Sequence, residues 1–270
     1  MTVSATIADT AVNPAVFVPA QSIGVAGTNV PSHVMDRNIS INMAADYPRL
    51  HLHPGWGKFK GRKLAIVGGG PSLNEFLPMI GQFEDVMVCG SAHDHVVGHG
   101  INPTYSIQCD GSKKALEFMK LRAPGTQYLI ASCCDPEMFE GLSDVWMWHC
   151  LGSGTYSHTE PSIAGGCMIM LRALPVAILL GYQDLHFFGM DSCFSDVESQ
   201  HAYEINESKS NVLTVRVGDG REFLTSPALL AQAQQFQEMC HLYGFMFNPH
   251  VYGDGLIAEI INVGTGAMNE

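Results

Sequence analysis

Between residues 63 and 90 two short runs without polar interruption, KLAIVG (63–68) and DVMVCG (85–90), flank SLNEFLPMI (72–80). Continuous apolar runs of that length predict strands buried on both faces, and the stretch between them predicts a helix with Ser72 as its N-cap. The same alternation continues downstream. SAHDHVVGHG (91–100) reads as helix, PTYSIQCD (103–110) as a strand ending at Asp110, and SKKALEFMKL (112–121) as its helix. QYLIAS and DVWMWH are further strands. PSIAGGCMIMLRALPVAILLGY (161–182) reads as one long buried helix feeding the strand DLHFFGMD (184–191). Strand and helix in turn predict an α/β, Rossmann-like fold: a mostly parallel sheet with helices on both faces.

The pattern changes twice. Residues 1–45, rich in Ala, Val, Thr, Pro and Asn, hold neither period and are expected to form an extended or disordered arm. Residues 46–270 are then one Rossmann-like domain, entered through the Gly- and Pro-rich loop 47–63. Within it, 192–225 alternates in HAYEIN and NVLTVRVG like a β-hairpin, a flap beside the sheet. SPALLAQAQQFQEMCHLYG (226–244) returns to helix, with Ser226 as cap and Pro227 at the first helical position, and FMFN and GDGLIAEIIN close the fold.

Composition narrows the partners. With 14 basic residues against 26 acidic ones the formal net charge is -12, which repels a nucleic-acid backbone. A small phosphorylated ligand remains compatible, held by backbone N–H groups or a divalent cation rather than by a basic patch. The eight cysteines include no C-x-x-C and sit largely in apolar runs, as free thiols in a reducing compartment do. The N-terminus lacks a basic segment leading into a long apolar core. The longest apolar stretch, 167–182, contains Arg172 and Pro175. A cytoplasmic protein that does not enter membranes is the expectation.

Open α/β sheets bind ligands beyond the carboxyl ends of their strands. Three such ends stand out: Gly68-Gly69-Gly70-Pro71-Ser72, Asp110 in QCDG, and Asp191 in GMDS. The first is no P-loop, since no Gly-Lys-Ser/Thr follows, and Leu73 replaces the third glycine of a dinucleotide fingerprint. Its glycines suit close approach to a phosphate, with a Ser72 hydroxyl at the helix start, and equally suit a tight turn. Ser91, opening the next helix, joins the candidates for nucleotide contact. Asp110 and Asp191 are expected at one rim, where they can share Mg²⁺, accept a ribose hydroxyl or cap a helix. EPSIAGGC (160–167) reads as a second phosphate-facing helix start, Ser162 capping and Gly165-Gly166 in its first turn, or as close helix–sheet packing. His201, on the flap, is a candidate proton carrier. His95 and His99 are spaced i, i+4 for a metal without a third ligand fixed by spacing; His93 faces elsewhere, and His51 and His53 are expected at the surface.

KLAIVGGGPSL, GSAHDHVVGHGINPTYSIQCDG and ALPVAILLGYQDLHFFGMDSCF occur in that order. Over about residues 60 to 260 the chain resembles the family of archaeal-type 6-hydroxymethylpterin diphosphokinases and bacterial motility accessory factors. Bacterial lipooligosaccharide sialyltransferases look like more distant relatives, and compact relatives are common among phage and prophage proteins. The resemblance implies a Rossmann-like fold in which Gly68, Gly70, Pro71, Ser72, Asp110, Gly189 and Asp191 surround a nucleotide. It implies transfer of a diphosphate group from a nucleoside triphosphate to a small hydroxyl acceptor, with Mg²⁺ at Asp191 and Asp110. Two alternatives stand beside it. One is a glycosyltransferase using a nucleotide sugar, with His201 as general base. The other is a non-catalytic assembly module whose arm, 1–45, docks on a protein partner or on further copies of the chain. Two positions depart from the family pattern. Thr104 replaces the Asp of its Pro-Asp, and Thr225 and Ser226 stand where the sialyltransferases carry a histidine before the helix.

Overall fold

The computed structural model describes residues 30–195, 199–205, 211–217 and 220–266. Its strands are β1 Lys63–Val67, β2 Asp85–Cys89, β3 Tyr105–Gln108, β4 Gln127–Ala131, β5 Val145–Cys150, β6 Ser162–Ile163, β7 Asp184–Phe188, β8 Leu213–Val217, β9 Arg221–Thr225 and β10 Asn248–Val251. Its α-helices are α1 Ser32–Ala44, α2 Leu73–Ile80, α3 Ala92–Gly98, α4 Ile169–Leu180, α5 Pro227–Tyr243 and α6 Leu256–Gly266. Eight strands make one sheet in the order β10-β7-β1-β2-β3-β4-β5-β6, parallel at every pairing.

Alternation along β1 explains why its sequence is apolar throughout. Leu64 and Ile66 join the larger core, with Leu171, Leu174 and Ala177 of α4 and Phe236 of α5. Ala65 and Val67 face the other way, against Leu73, Leu77 and Ile80 of α2 and Ala92 and Val96 of α3. Helices therefore cover both faces, as an all-parallel sheet requires. From β1 the chain walks outward through β2 to β6. Then α4 carries it back to β7 on the opposite side of β1. The reversal of strand order, the position where such sheets bind ligands, lies between β1 and β7.

Several expectations are corrected. Residues 32–44, assigned to the arm, form α1, whose buried face is Met35, Asn38, Ile39 and Asn42. Asn38 Nδ2 donates to the carbonyls of Gly111 (3.1 Å) and Cys133 (3.0 Å), and Asn42 Nδ2 to those of Ser132 and Cys134 (both 2.9 Å). The helix is thus stitched to the loops after β3 and β4; residues 1–29 lie outside the described residues. The long helix expected over 161–182 begins only at Ile169, with Met168 at its N-cap position. Ser162 and Ile163 instead add the strand β6 to the sheet edge. The segment SKKALEFMKL yields a 3₁₀ turn, Lys113–Phe118. The hairpin at 192–225 pairs β8 with β9, so NVLTVRVG finds its partner in REFLT, while residues 201–205 are not strand. His53 is buried, its Nδ1 accepting from the Gly55 amide at 2.9 Å and its ring edge-on to Trp146. All eight cysteines are free; Cys89, Cys133, Cys134 and Cys150 are buried as expected, but Cys167 is exposed. Among the described residues no helix is long and apolar enough to cross a membrane.

Candidate functional site

At the switch point the ends of β1 and β7 are fastened together. The Gly68 amide donates to the Phe188 carbonyl (2.9 Å) and the Gly70 amide to the Gly189 carbonyl (2.8 Å). Gly189 turns with φ +60, a conformation that costs an L-residue with a side chain. A side chain at Gly68 or Gly70 would put its Cβ 2.7 Å from the Gly189 carbonyl oxygen. These glycines are demanded by the approach of two strand ends. Ser72 occupies the N-cap position of α2 but does not cap it. Its Oγ and its amide both donate to Asp191 Oδ2, at 3.0 and 3.1 Å. With Pro71 offering no N–H, the Gly69 amide is the loop's remaining donor without a partner among the described residues.

Above this junction lies a cavity of about 240 Å³, lined by Gly69, Gly70, Ser91, Gly189, Asp191 and His201 and roofed by the start of α4 and by α5. The segment 201–203 is laid on the glycine loop. The Ala202 amide donates to the Gly69 carbonyl (3.0 Å), and His201 Nδ1 lies 3.3 Å from the same oxygen. Tyr203 Oη meets Ser91 Oγ at 2.9 Å, and its ring stacks on His95. His201 therefore stands where the flap reading put it, although the backbone carrying it is not a strand.

Asp191 is the one Asp, Glu, Lys or Arg among the described residues lining the cavity. Burial pushes its carboxyl above the ordinary carboxylate range, the hydrogen bonds from Ser72 pull it part of the way back, and nearby Asp254 adds to the rise. Two thiols also line the cavity. Burial raises both, Cys193 to about 11 and Cys89 further, so neither supplies a thiolate nucleophile. Ser192 holds φ +55 beside Asp191, the one residue other than glycine with positive φ among those described. Its carbonyl accepts from Thr225 Oγ1 (2.8 Å) and its hydroxyl donates to Gln232 (2.9 Å). Strain of this kind is held by surrounding bonds and concentrates at functional positions. The sequence carried no sign of it beyond a serine following the strand-end aspartate. The Thr225 side chain, at the departure from the sialyltransferase pattern, is thus spent on holding this turn.

The structure does not bring every candidate here. Asp110 is exposed and closes a local turn by accepting the Ser112 amide at 2.8 Å. Its strand, β3, is three strand spacings from β7, roughly 14 Å, so it does not meet Asp191. Ser162, Gly165 and Gly166 line a different cavity of about 580 Å³, beside Trp148, His149 and the exposed end of α5. They do not start a helix, and a Cβ on Gly166 would run into Leu171 and Gln235. His99 Nδ1 is bound to the His95 carbonyl (2.8 Å) and His95 Nε2 to Asn74 (2.7 Å). Thr104, at the other departure, accepts the Val86 amide through Oγ1 at 3.1 Å.

The model of 6-hydroxymethylpterin diphosphokinase MptE-like proteins matches residues 42–197, from α1 past Asp191. The chain belongs to this family. Among solved structures, this MptE-like chain is similar to the MAf glycosyltransferase from Magnetospirillum magneticum AMB-1, with a TM-score of 0.63 at 15% identity. That likeness covers 88% of the MptE-like chain but 41% of the glycosyltransferase, and it shows the Rossmann-like fold. A mammalian sialyltransferase solved with Gal-beta-1-3GalNAc-ortho-nitrophenol aligns over 87% of this chain and 89% of that one, at 10% identity and a TM-score of 0.38. No curated protein matches the sequence. The resemblance to diphosphokinases and motility accessory factors is borne out.

Proposed function

We propose that the chain is a nucleotide-dependent transferase whose donor sits in the cavity between the ends of β1, β2 and β7. The reading rests on one observation: Asp191, buried and held by Ser72, faces a cavity at the topological switch point of a parallel sheet. The first reaction in view is diphosphoryl transfer. An acceptor hydroxyl oxygen attacks the β-phosphorus of a nucleoside triphosphate, the bond from that phosphorus to the oxygen bridging the α-phosphate breaks, and the nucleoside monophosphate leaves. His201 takes the hydroxyl proton. The Gly69 amide and the Ser91 hydroxyl offer donors to the phosphates, and no Lys or Arg among the described residues lines the cavity to balance their charge. A carboxylate that keeps one oxygen clear of Ser72 fits Mg²⁺, which binds through one or two carboxylates and the substrate's phosphates; Asp191 Oδ1 would hold it. Bound there, Mg²⁺ would offset the phosphate charge.

A second reading is favoured by the same lack of cationic side chains. Transfer of a sugar from a nucleotide-sugar donor that leaves a single phosphate needs less charge compensation than a triphosphate. There His201 or Asp191 removes the acceptor proton.

A thermal-shift panel of ATP, GTP, CTP, UTP and CMP, each with and without Mg²⁺, separates the readings. A ligand at a hundred times its Kd adds about 2.7 kcal/mol, and thus roughly 5–10 °C in Tm for a domain of this size. A Mg²⁺-dependent shift with a triphosphate supports diphosphoryl transfer. A metal-independent shift with CMP supports glycosyl transfer. No shift with any of the five overturns the nucleotide site and leaves a non-catalytic module.

A further inference from the structure

We propose that Asp184, His186 and His250 form a site for a transition-metal dication of the zinc class, where β7 and β10 begin, apart from the transferase cavity. The register of the two strands creates it. β7 and β10 run parallel with Asn248 opposite Asp184 and His250 opposite His186. Because side chains alternate along a strand, the Asp-x-His of β7 and the Asn-x-His of β10 all stand on one face. The imidazoles of His186 and His250 stack at 4.4 Å with an 11° interplanar angle.

Their ligand atoms converge. His250 Nε2 lies 2.7 Å and His186 Nε2 3.4 Å from Asp184 Oδ1, and one ligand atom from each of the three residues lies within 4.8 Å of the others. Ligands at about 2.0–2.2 Å around a tetrahedral zinc ion are roughly 3.3 Å apart, so a modest adjustment seats the ion. It is the one cluster of three or more such groups among the described residues.

A second observation is independent of the spacing. His186 is buried, 5% exposed, and its Nε2 makes no hydrogen bond; neither does the buried Asp184 Oδ1, whose close neighbours are the two imidazole nitrogens themselves. Buried polar atoms left without partners are uncommon and need a cause. Two of them aimed at each other's surroundings, with a second imidazole nitrogen beside them, have one in a shared cation. The outer contacts fit as well. Tyr252 Oη binds His186 Nδ1 at 2.9 Å, which fixes the ring and leaves Nε2 for the ion. Lys63 Nζ approaches the other carboxylate oxygen, Oδ2, at 4.0 Å. Asn248 Nδ2 lies 2.9 Å from His250 Nε2, a contact the ion replaces; with the amide turned over, its carbonyl oxygen, or else a water, completes four ligands. Two imidazoles and a carboxylate select zinc, cobalt or nickel over Mg²⁺ or Ca²⁺. Five residues of chain, roughly 16 Å, separate His186 from Asp191, so the ion acts on the sheet edge, pinning β10 to β7.

The test uses the untagged full chain, stripped with chelator, dialysed and titrated with Zn²⁺ and then Co²⁺. The expected result is one zinc per chain by elemental analysis, a rise in Tm of several degrees, and the intense visible absorption of tetrahedral Co²⁺. His250→Gln and Asp184→Asn, at the rim and so the variants least prone to misfold, each weaken zinc binding by about 100-fold or more, whereas His95→Gln retains it. Failure of the wild-type chain to retain zinc overturns the proposal. So does equal retention by His250→Gln, or loss in His95→Gln alone.

Discussion

Ser72 gives both its hydroxyl and its amide to one oxygen of Asp191, Oδ2, at 3.0 and 3.1 Å, across a sequence separation of 119 residues. Two strand ends on either side of the sheet's reversal are joined through a buried carboxylate rather than through a helix cap. The bond has a measurable worth. Ser72→Ala keeps the amide but removes a hydroxyl bond to a charged group, so stability in urea falls by about 1.5–3 kcal/mol. It also removes one of the contacts holding the Asp191 carboxyl down, so that carboxyl titrates higher still. An unchanged urea midpoint would show that the hydroxyl bond contributes nothing.

Asp191→Asn should abolish transfer while stabilising the fold. The folded-state carboxyl is raised above its ordinary value by burial, so the folded protein holds its proton more tightly than the unfolded chain does. Wild-type stability relative to Asp191→Asn is highest at low pH, where both states are protonated. It declines as pH rises from the ordinary carboxylate range through the raised value, and is flat above it. Denaturation of the two proteins at pH 4 and pH 7 should show the variant gaining, by about 1 kcal/mol at pH 7. A gap that narrows toward neutral pH contradicts the assigned direction.

How much of this was legible in the sequence depends on what carried the signal. The strands of the sheet announced themselves because an all-parallel sheet buries both faces, making runs such as KLAIV and DVMVC continuous. α1 stayed hidden for a chemical reason. Its buried positions, 35, 38, 39 and 42, do follow the helical i, i+3, i+4, i+7 spacing, but two of the four are asparagines, which a hydrophobicity pattern counts as exposed. Asp191 was legible as a polar residue ending an apolar strand, and the same logic over-reached at Asp110. Strand order, which no local pattern encodes, keeps those two residues apart. Gly165-Gly166 looked like a helix start because glycine pairs serve tight packing as well as ligand approach.

The glycines of the loop are separable by what their missing side chains would strike. At Gly70 a Cβ meets the Gly189 carbonyl at 2.7 Å and the Asp191 carboxylate closer still, neither of which can yield. At Gly69 it meets the Tyr203 hydroxyl and, at 3.1 Å, His201 Nδ1, the ends of side chains that can move. Gly70→Ala is expected to lose about 3 kcal/mol or more of stability. Gly69→Ala should fold normally yet transfer slowly, because it displaces His201. Thermal melts and turnover on both variants check this; equal effects on the two measurements would undo the distinction.

His201 tests the proton-transfer role apart from binding. Removal of a general base slows the chemical step by about 10²–10⁴-fold, whereas contacts to the donor phosphates come from Gly69 and Ser91 in the proposed site. His201→Ala should therefore keep the nucleotide-induced rise in Tm and lose turnover. A variant that loses both in parallel has lost the cavity wall, since His201 also lies against the Gly69 carbonyl.

α1 offers the sharpest contrast between the arm expected from sequence and the helix observed. If residues 30–45 were an arm laid on a neighbour, cutting the chain at residue 46 would leave stability untouched. The helix instead seals the loops after β3 and β4, with Asn42 alone satisfying the Ser132 and Cys134 carbonyls in the interior. Orphaned buried acceptors cost about 1–3 kcal/mol each, so Asn42→Ala should lower stability by roughly 2–4 kcal/mol. Asn38→Ala, which strands the Gly111 and Cys133 carbonyls, should do the same. The double variant should lose less than the sum of the two, because the helix that both side chains anchor detaches once and the remaining bond is then already broken. Urea denaturation of the two single variants and the double variant decides it. Full additivity would mean that each asparagine holds its own loop and that α1 stays docked on either one.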